Sequence, residues 1–308
     1  MLGFDVDQVN SVQFSNHTGY GAWEGEVLQG SQLLKLVDGM EENGILSDEN
    51  GHILTGYIGS ESFLRAVVTV VRKMKADNPQ IRYVCDPVLG DIGRFYVPEQ
   101  LVKIYKEEVI PFANVLTPNQ FEVEQLTGVK IDSVDQARRA CSILHDIMGT
   151  LNSMVLITSI VFSENEDSLG IFASKRHPGS EGGPSYEDEQ LIVYIPKLPG
   201  QFTGTGDICA ALWLALTADM DEMQNKNNES SLKQKLEQLA GTMNAIVQRT
   251  HQSSVIKLQK EGISSLDAKD EATKKKIVRS REMKLIQSAG DILNPPSTRF
   301  QAVRVSER

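Results

Sequence analysis

Cysteine is scarce: Cys85, Cys141 and Cys209 stand far apart in 308 residues, with no CxxC or CxxH spacing. That argues against a disulfide framework and a zinc site, and it fits a reducing, cytoplasmic compartment. Long apolar runs are missing as well. No stretch reaches the roughly 18 apolar residues a membrane-spanning helix needs, so no membrane partner is expected. The opening MLGFDVDQVN carries acids where a secretory signal has a basic region. Positive charge is in short supply, with 31 Lys and Arg against 41 Asp and Glu and a formal net charge of −10. This argues against nucleic acid as a partner. It does not argue against a nucleotide, because small phosphates are held by local loops and metal ions. No fixed-period repeat is visible, which disfavours a solenoid or propeller. A Walker A loop is also absent.

What the chain does have is 40% hydrophobic residues, enough for a sizeable core, and no linker composition to divide it. A single domain over 1–308 is expected. From about residue 50, strand-like and helix-like patterns alternate. His52–Tyr57, Ile81–Cys85, Asn114–Leu116 and Met154–Thr158 are short apolar runs ending near Thr, Asp, Pro or Gly. Between the first two, Phe63, Leu64, Val67, Val68, Val71 and Met74 recur at helical spacing and predict a helix over Glu61–Asp77. Pro98–Ile110 also reads as a helix, and Ser133–Met148 as one opened by the capping-box pair Ser133 and Gln136. Strands separated by helices of this length predict βαβ units and a mainly parallel sheet. Leu169–Ala173 and Gln190–Ile195 read as paired strands joined by a surface loop, Lys175–Glu189. Helices are expected from Thr205 through Leu216, over Ser231–His251 and over Glu282–Ala289, with a polar loop over Ala218–Ser230. The charge-rich stretch Lys257–Lys276 predicts no definite element.

Four local features carry chemistry. Gly204-Thr205-Gly206-Asp207 runs directly into the apolar segment Ile208–Leu216. Paired glycines at a helix start let backbone N–H groups converge where the helix dipole is positive, which suits charge developing on a phosphoryl group in flight. Asp207 would then accept a proton from an attacking hydroxyl. It reads equally as a helix N-cap. Asp86-Pro-Val-Leu-Gly-Asp91 follows the Ile81–Cys85 strand, at the carboxyl end where ligand sites of open α/β sheets gather. Two carboxylates five apart could hold Mg²⁺, or serve an ordinary turn. Thr117-Pro-Asn119-Gln-Phe-Glu122 has the spacing of a capping pair. Thr158 and Ser159 offer hydroxyls at the end of a fourth strand. All four lie at strand ends or a helix start, where one cleft would form.

These runs, with Leu54-Thr-Gly-Tyr57 and above all Val9-Asn-Ser-Val-Gln-Phe-Ser-Asn-His-Thr-Gly-Tyr20, resemble eukaryotic pyridoxal kinases of the ribokinase superfamily from Leu2 to about His251. The resemblance implies a ribokinase-like α/β fold with a small lid-like strand segment. The implied reaction is transfer of the ATP γ-phosphoryl group to the 5′-hydroxyl of pyridoxal, pyridoxamine or pyridoxine, in a cytosolic homodimer. Asp207 matches the catalytic base, and the amides of Gly204, Thr205, Gly206 and Asp207 the anion hole. Asp86, Asn119, Thr158, Ser159 and Thr205 match residues around ATP, and Leu198 and Phe202 the loop on its adenine. Asp91 matches the divalent-metal position, taken by Mg²⁺ or another divalent cation. Thr117, Glu122 and Thr158 match a monovalent K⁺ or Na⁺ site. Val12, Phe14, Thr18, Tyr57 and Tyr96 match the vitamin pocket and its cover. Val12 and Phe14 also alternate as in any half-buried strand, Tyr57 also reads as a core aromatic, and His17 as a structural turn residue.

Two departures stand out. Family members open with a strand and glycine-containing turn ahead of the segment starting here at Leu2, so the chain is expected to lack that strand and most of the first helix, with lower stability and activity. The Asp91–Tyr96 connection is several residues shorter than in some relatives, so the cover is expected to close differently there. The alternatives are a catalytically weak or inactive product that keeps nucleotide binding or dimerisation and, less favoured, a hydroxymethylpyrimidine or sugar kinase.

Overall fold

Side chains on a strand alternate between two faces, and in the central strands of this chain both faces are apolar. The computed structural model describes residues 2–46, 51–179, 185–218, 220, 232–263, 270–296 and 299–305. The first half runs β1 (Val12–Phe14), β2 (Gly25–Val27), α1 (Gly30–Glu42), β3 (His52–Thr55), α2 (Glu61–Asp77), β4 (Arg82–Cys85), β5 (Gly90–Asp91), β6 (Arg94–Phe95), α3 (Leu101–Ile104) and β7 (Val115–Leu116). The second runs α4 (Gln120–Thr127), α5 (Val134–Met148), β8 (Met154–Ile160), β9 (Ser168–Pro178), β10 (Tyr186–Pro196), α6 (Thr205–Thr217), α7 (Leu232–Lys260), α8 (Glu271–Ser280), α9 (Ala289–Leu293) and β11 (Val303–Arg304).

Among the described residues the main sheet has the order β11-β10-β9-β8-β7-β4-β3. The half from β3 to β8 is parallel, and β9, β10 and β11 continue it antiparallel. Tyr83, Cys85, Leu116, Val155 and Ile157 face one core, filled by Phe63, Leu64 and Val68 of α2 and by α5. Their neighbours Val84, Val115, Met154 and Leu156 face the other, filled by Leu212 and Trp213 of α6 and by α7. Helices therefore cover both faces, the ribokinase-like architecture expected. Two small antiparallel pairs, β1 with β2 and β5 with β6, stand outside this sheet.

Several expectations need correction. The Lys175–Glu189 loop is mostly strand: β9 runs on to Pro178 and β10 starts at Tyr186, paired from Tyr186↔Pro178 onward. Lys175 and Arg176 are buried, so two of the charges that suggested a loop lie on the covered part of this ribbon, and 180–184 lie outside the described residues. Pro98–Ile110 is helical but irregular, with α3 passing into a π-turn over Tyr105–Val109 and a 3₁₀ turn at Ile110–Phe112. Pro111, which cannot donate a backbone hydrogen bond, sits where the regular helix fails. Ser133 caps α5 through Gln136 N at 3.4 Å, but the Gln136 side chain returns to Asp132 N, so the box is not closed on the cap residue. Glu282–Ala289 is not a helix; a 3₁₀ turn at Ile286–Ser288 leads into α9. Lys257–Lys276 is divided between the end of α7 and the start of α8, with 264–269 outside the described residues. Most of the Ala218–Ser230 loop also lies outside them.

Candidate active site

Because β3, β4, β7 and β8 run in the same direction, the residues that follow the first three, Gly56 and Tyr57, Asp86, and Thr117, arrive at one end of the sheet with Thr158 and Ser159 at the bulge of β8. The start of α6 meets them there. A methyl group placed on Gly56 would lie 3.6 Å from Asp207 Oδ1, and one on Gly206 would lie 3.7 Å from Asp86 Oδ2. The motifs that sequence grouped by position are thus grouped in space.

At the helix start the N-cap is Gly204, in a left-handed conformation at φ 85°, a geometry that glycine adopts without strain. Asp207 is the third residue of the helix, and its carboxylate makes no capping hydrogen bond among the described residues. The N-cap reading of Asp207 is therefore replaced by a carboxylate free for other work. Although it keeps a face open to solvent, the protein crowded around it raises its pKa above the carboxylate range. Thr205 donates its hydroxyl to Phe202 O at 3.3 Å, closing the loop before the helix.

Asp86 is 4% exposed, and burial, with Glu122 and Asp207 adding like charge, pushes its pKa well up. Glu122 is equally covered, and burial raises it too, against the pull of three amides. Its Oε1 accepts from Leu89 N at 2.9 Å and Gly90 N at 3.5 Å, and its Oε2 accepts from Asn119 N at 2.8 Å. Asn119 returns the contact by accepting from Glu122 N at 2.9 Å, a complete capping box, while its Nδ2 donates to Gly90 O at 2.7 Å. The capping reading of this pair is correct, and it also ties α4 to the turn after β4. Thr158 N donates to Pro118 O at 2.9 Å beside a bulge in β8. The Thr117 hydroxyl lies close enough to Asp86 to favour its charged form slightly, yet it closes no hydrogen bond of ordinary geometry and is buried unpartnered. An orphaned hydroxyl beside crowded carboxylates fits a bound cation, which would offset their repulsion. Asp91, also raised by burial, accepts from Ile92 N at 2.8 Å in the β5–β6 turn. Among the described residues no three His, Cys, Asp or Glu side chains gather into a cage. That fits a divalent cation only where phosphate oxygens complete its shell, as is usual for Mg²⁺.

The opposite wall is less closed. Val12 and Phe14 of β1 are partly covered, Phe14 resting against Trp23 at 6.0 Å, and Thr18 is exposed in a 3₁₀ turn. Tyr57 packs against the first core with its pKa raised by burial. Tyr96 is 55% exposed, near enough to Asp91 and Glu122 to feel their charge. Leu198 is partly covered, and Phe202 meets His251 edge-on at 6.4 Å. The turn Thr18–Tyr20 lies against the loop before α6, since a methyl on Gly19 would stand 3.1 Å from Thr203 Oγ1. Sequence reading gave no role to Gly56, though it sits inside a quoted motif, or to Arg281 and Glu282, which belong to no motif.

Comparison with known proteins agrees with this geometry. The family model described as phosphomethylpyrimidine kinase matches residues 45–178. Pyridoxal kinase of Arabidopsis thaliana is 43% identical over 96% of this chain and 84% of its own length. The Homo sapiens pyridoxal kinase is 40% identical over 82% of this chain and 78% of its own. A solved structure of the Leishmania donovani enzyme with ADP and pyridoxamine superposes with a TM-score of 0.79 at 25% identity, covering 99% of this chain and 91% of that one. With the strand-end carboxylates in one cleft and identity of 43% over nearly its whole length, this chain belongs to the pyridoxal kinase family.

Proposed function

We propose that the chain transfers the γ-phosphoryl group of ATP to the 5′-hydroxyl of pyridoxal, and of pyridoxamine and pyridoxine, giving the 5′-phosphate and ADP. The observation that carries this reading is the placement of Asp207, near the start of α6, beside Gly56 and Gly204 and not spent on capping. Asp207 takes the proton of the 5′-hydroxyl as that oxygen forms its bond to the γ-phosphorus. The bond from phosphorus to the β–γ bridging oxygen breaks, and ADP leaves with the electron pair. Backbone amides of Gly204, Thr205, Gly206 and Asp207 hold the charge that spreads over the transferring oxygens. Burial raises the pKa of Asp207, which makes its carboxylate a stronger proton acceptor than a free one.

Asp86, Asn119, Thr158, Ser159 and Thr205 would surround ATP, with Leu198 and Phe202 against adenine. Val12, Phe14, Thr18, Tyr57 and Tyr96 would hold the vitamer. Bound cations, a divalent one shared by Asp91 and phosphate oxygens and K⁺ or Na⁺ held by Thr117, Glu122 and Thr158, would supply positive charge against the phosphates. The three buried, unpaired cysteines support a cytoplasmic setting, and a homodimer as its working form rests on the family resemblance alone.

Direct competition tests the substrate. With ATP in excess, pyridoxal, hydroxymethylpyrimidine and ribose are offered at equal concentration and the phosphorylated products separated. Pyridoxal 5′-phosphate should dominate; preference for either other alcohol would overturn the assignment.

A further inference from the structure

The two residues after α8 touch both walls of the proposed active site. Glu282 Oε1 accepts the Tyr20 hydroxyl at 2.8 Å and lies 3.2 Å from His17 Nε2. The two rings that reach it stand 4.8 Å apart at 46°, so a single carboxylate oxygen gathers the whole 3₁₀ turn. That turn follows, three residues on, the strand carrying Val12 and Phe14. Its preceding residue in the chain, Arg281, points the other way, towards the loop before α6. The guanidinium lies against the backbone of Gly200, where φ is 98° and a methyl group would overlap it. It also sits 5.8 Å from the centre of the Phe202 ring.

Arg281 makes no ion pair among the described residues, and its Nε is buried without a hydrogen-bond partner. A cation set in a partly desolvated place with unspent donors is not explained by packing alone. Loop and turn are themselves in contact through Thr203 and Gly19. The backbone step from Arg281 to Glu282 therefore spans two segments that approach each other at the mouth of the site. α8 anchors this step: Arg281 N donates to Val278 O at 3.0 Å, and Ser280 exchanges a hydrogen bond with Ser254 of α7 at 2.6 Å.

We propose that Arg281 and Glu282 form a clamp of positioning residues, Glu282 fixing the vitamer-side turn through Tyr20 and His17, and Arg281 fixing the nucleotide-side loop through Gly200 and Phe202. Neither is a catalytic residue; each acts through the segment it holds. The clamp makes the two substrate sites adjacent in the chain that supports them, although the residues they hold are far apart in sequence: Tyr20 and Glu282 are 262 positions apart. Strengthening one grip steadies the other, which is a physical route for coupling vitamer and nucleotide binding.

The kinetic part of this inference rests on the proposed reaction, so the test has a second part that does not. In the full chain, Glu282→Gln should raise KM for pyridoxal about three- to tenfold with little change in KM for ATP, the modest size expected of a charged hydrogen bond at a half-exposed carboxylate. Arg281→Met should show the opposite split. Tyr20→Phe should copy Glu282→Gln, and the double variant should add little, as for two partners of one contact. Hydrogen exchange without substrate should lose protection over 14–20 in Glu282→Gln and over 198–204 in Arg281→Met. Equal rises in both KM values with exchange accelerated throughout would mean general destabilisation and would overturn the clamp, as would unchanged KM values and unchanged exchange. A parent chain that phosphorylated no B6 vitamer would sink the proposed reaction, while segment-specific exchange would still decide the clamp.

Discussion

Asp207 shows how little separates a cap from a base. Had the helix begun three residues later, Asp207 would have been its N-cap and its carboxylate spent on backbone amides. With Gly204 in that role, the carboxylate projects beside Gly56 and Asp86 instead. Asp207→Asn keeps the shape and removes the proton acceptor, so kcat should fall by about 10²–10⁴. Affinity for ADP, measured by titration, should stay near the parent value if, as proposed, backbone amides hold the phosphates. Near-normal turnover in the variant would leave Asp207 without a role as base. The motif was legible in the sequence; the choice between cap and base was not, because it depends on a backbone angle at Gly204 and on neighbours from β3 and β4. Asn119 and Glu122 went the other way. Their spacing announced a capping pair, and the pair is made, while the bonds from Glu122 to Leu89 and Gly90 join residues 33 and 32 positions away that no spacing rule links.

Among the elements, the β5–β6 hairpin is the most strained. Its two-residue turn places Ile92 at φ 49° and Gly93 at φ 71°. Both values belong to a type I′ turn, which favours Asn-Gly, and a β-branched residue there is an outlier. Ile92 is 74% exposed, so no apolar contact offsets the strain. Ile92→Asn should stabilise the hairpin by about 1 kcal/mol, the scale of the left-handed penalty for L-residues. The thermal midpoint should rise by about 1–3 °C. A fall would show that contacts of Ile92 in the free chain outweigh the strain of its backbone. Element boundaries were readable where apolar period and caps agree, as in α2, which runs over the expected residues with Ser60 accepting from Phe63 N. They failed in α1, whose apolar face is blurred by the exposed Leu34 and Leu36 beside buried Leu33 and Val37. They failed again in β9 and β10, where buried Lys175 and Arg176 imitate a loop.

At the scale of the molecule, one buried network ties the antiparallel half of the sheet to α5, away from the strand ends that form the site. His145, 1% exposed, makes hydrogen bonds through Nδ1 to Ser153 Oγ at 2.7 Å and through Nε2 to Ser174 Oγ at 2.9 Å. Arg176 and Asp188, hydrogen-bonded at 2.8 Å, face it with opposed effects. Burial outweighs them and lowers the His145 pKa from 6.5 to about 4. The unfolded chain takes up a proton as pH falls through 6.5, whereas the native state resists until near 4. This histidine's contribution is therefore complete above pH 6.5 and lost towards pH 4, a change of at most about 3 kcal/mol. The buried carboxylates of the active site, raised instead of lowered, act in the opposite sense, so a comparison isolates the term. Denaturant unfolding of the parent and of His145→Gln across this window should show a steeper acid loss in the parent. Parallel curves would remove His145 as the cause.

The sequence by itself determined the alternating α/β order, the helices whose apolar residues recur every three or four positions, and the motifs that would stand at strand ends. Those signals are local: they depend on the period of a strand or helix and on turn residues a few positions apart. Only the tertiary structure decided that Asp207 is no cap, that the Thr117 hydroxyl is orphaned beside Asp86, and that the ribbon from Lys175 is sheet. It alone placed Arg281 and Glu282 on the two walls of the site. Each of these is set by what packs against a residue from far along the chain, and burial turns the same side chain into a cap, a base or a brace.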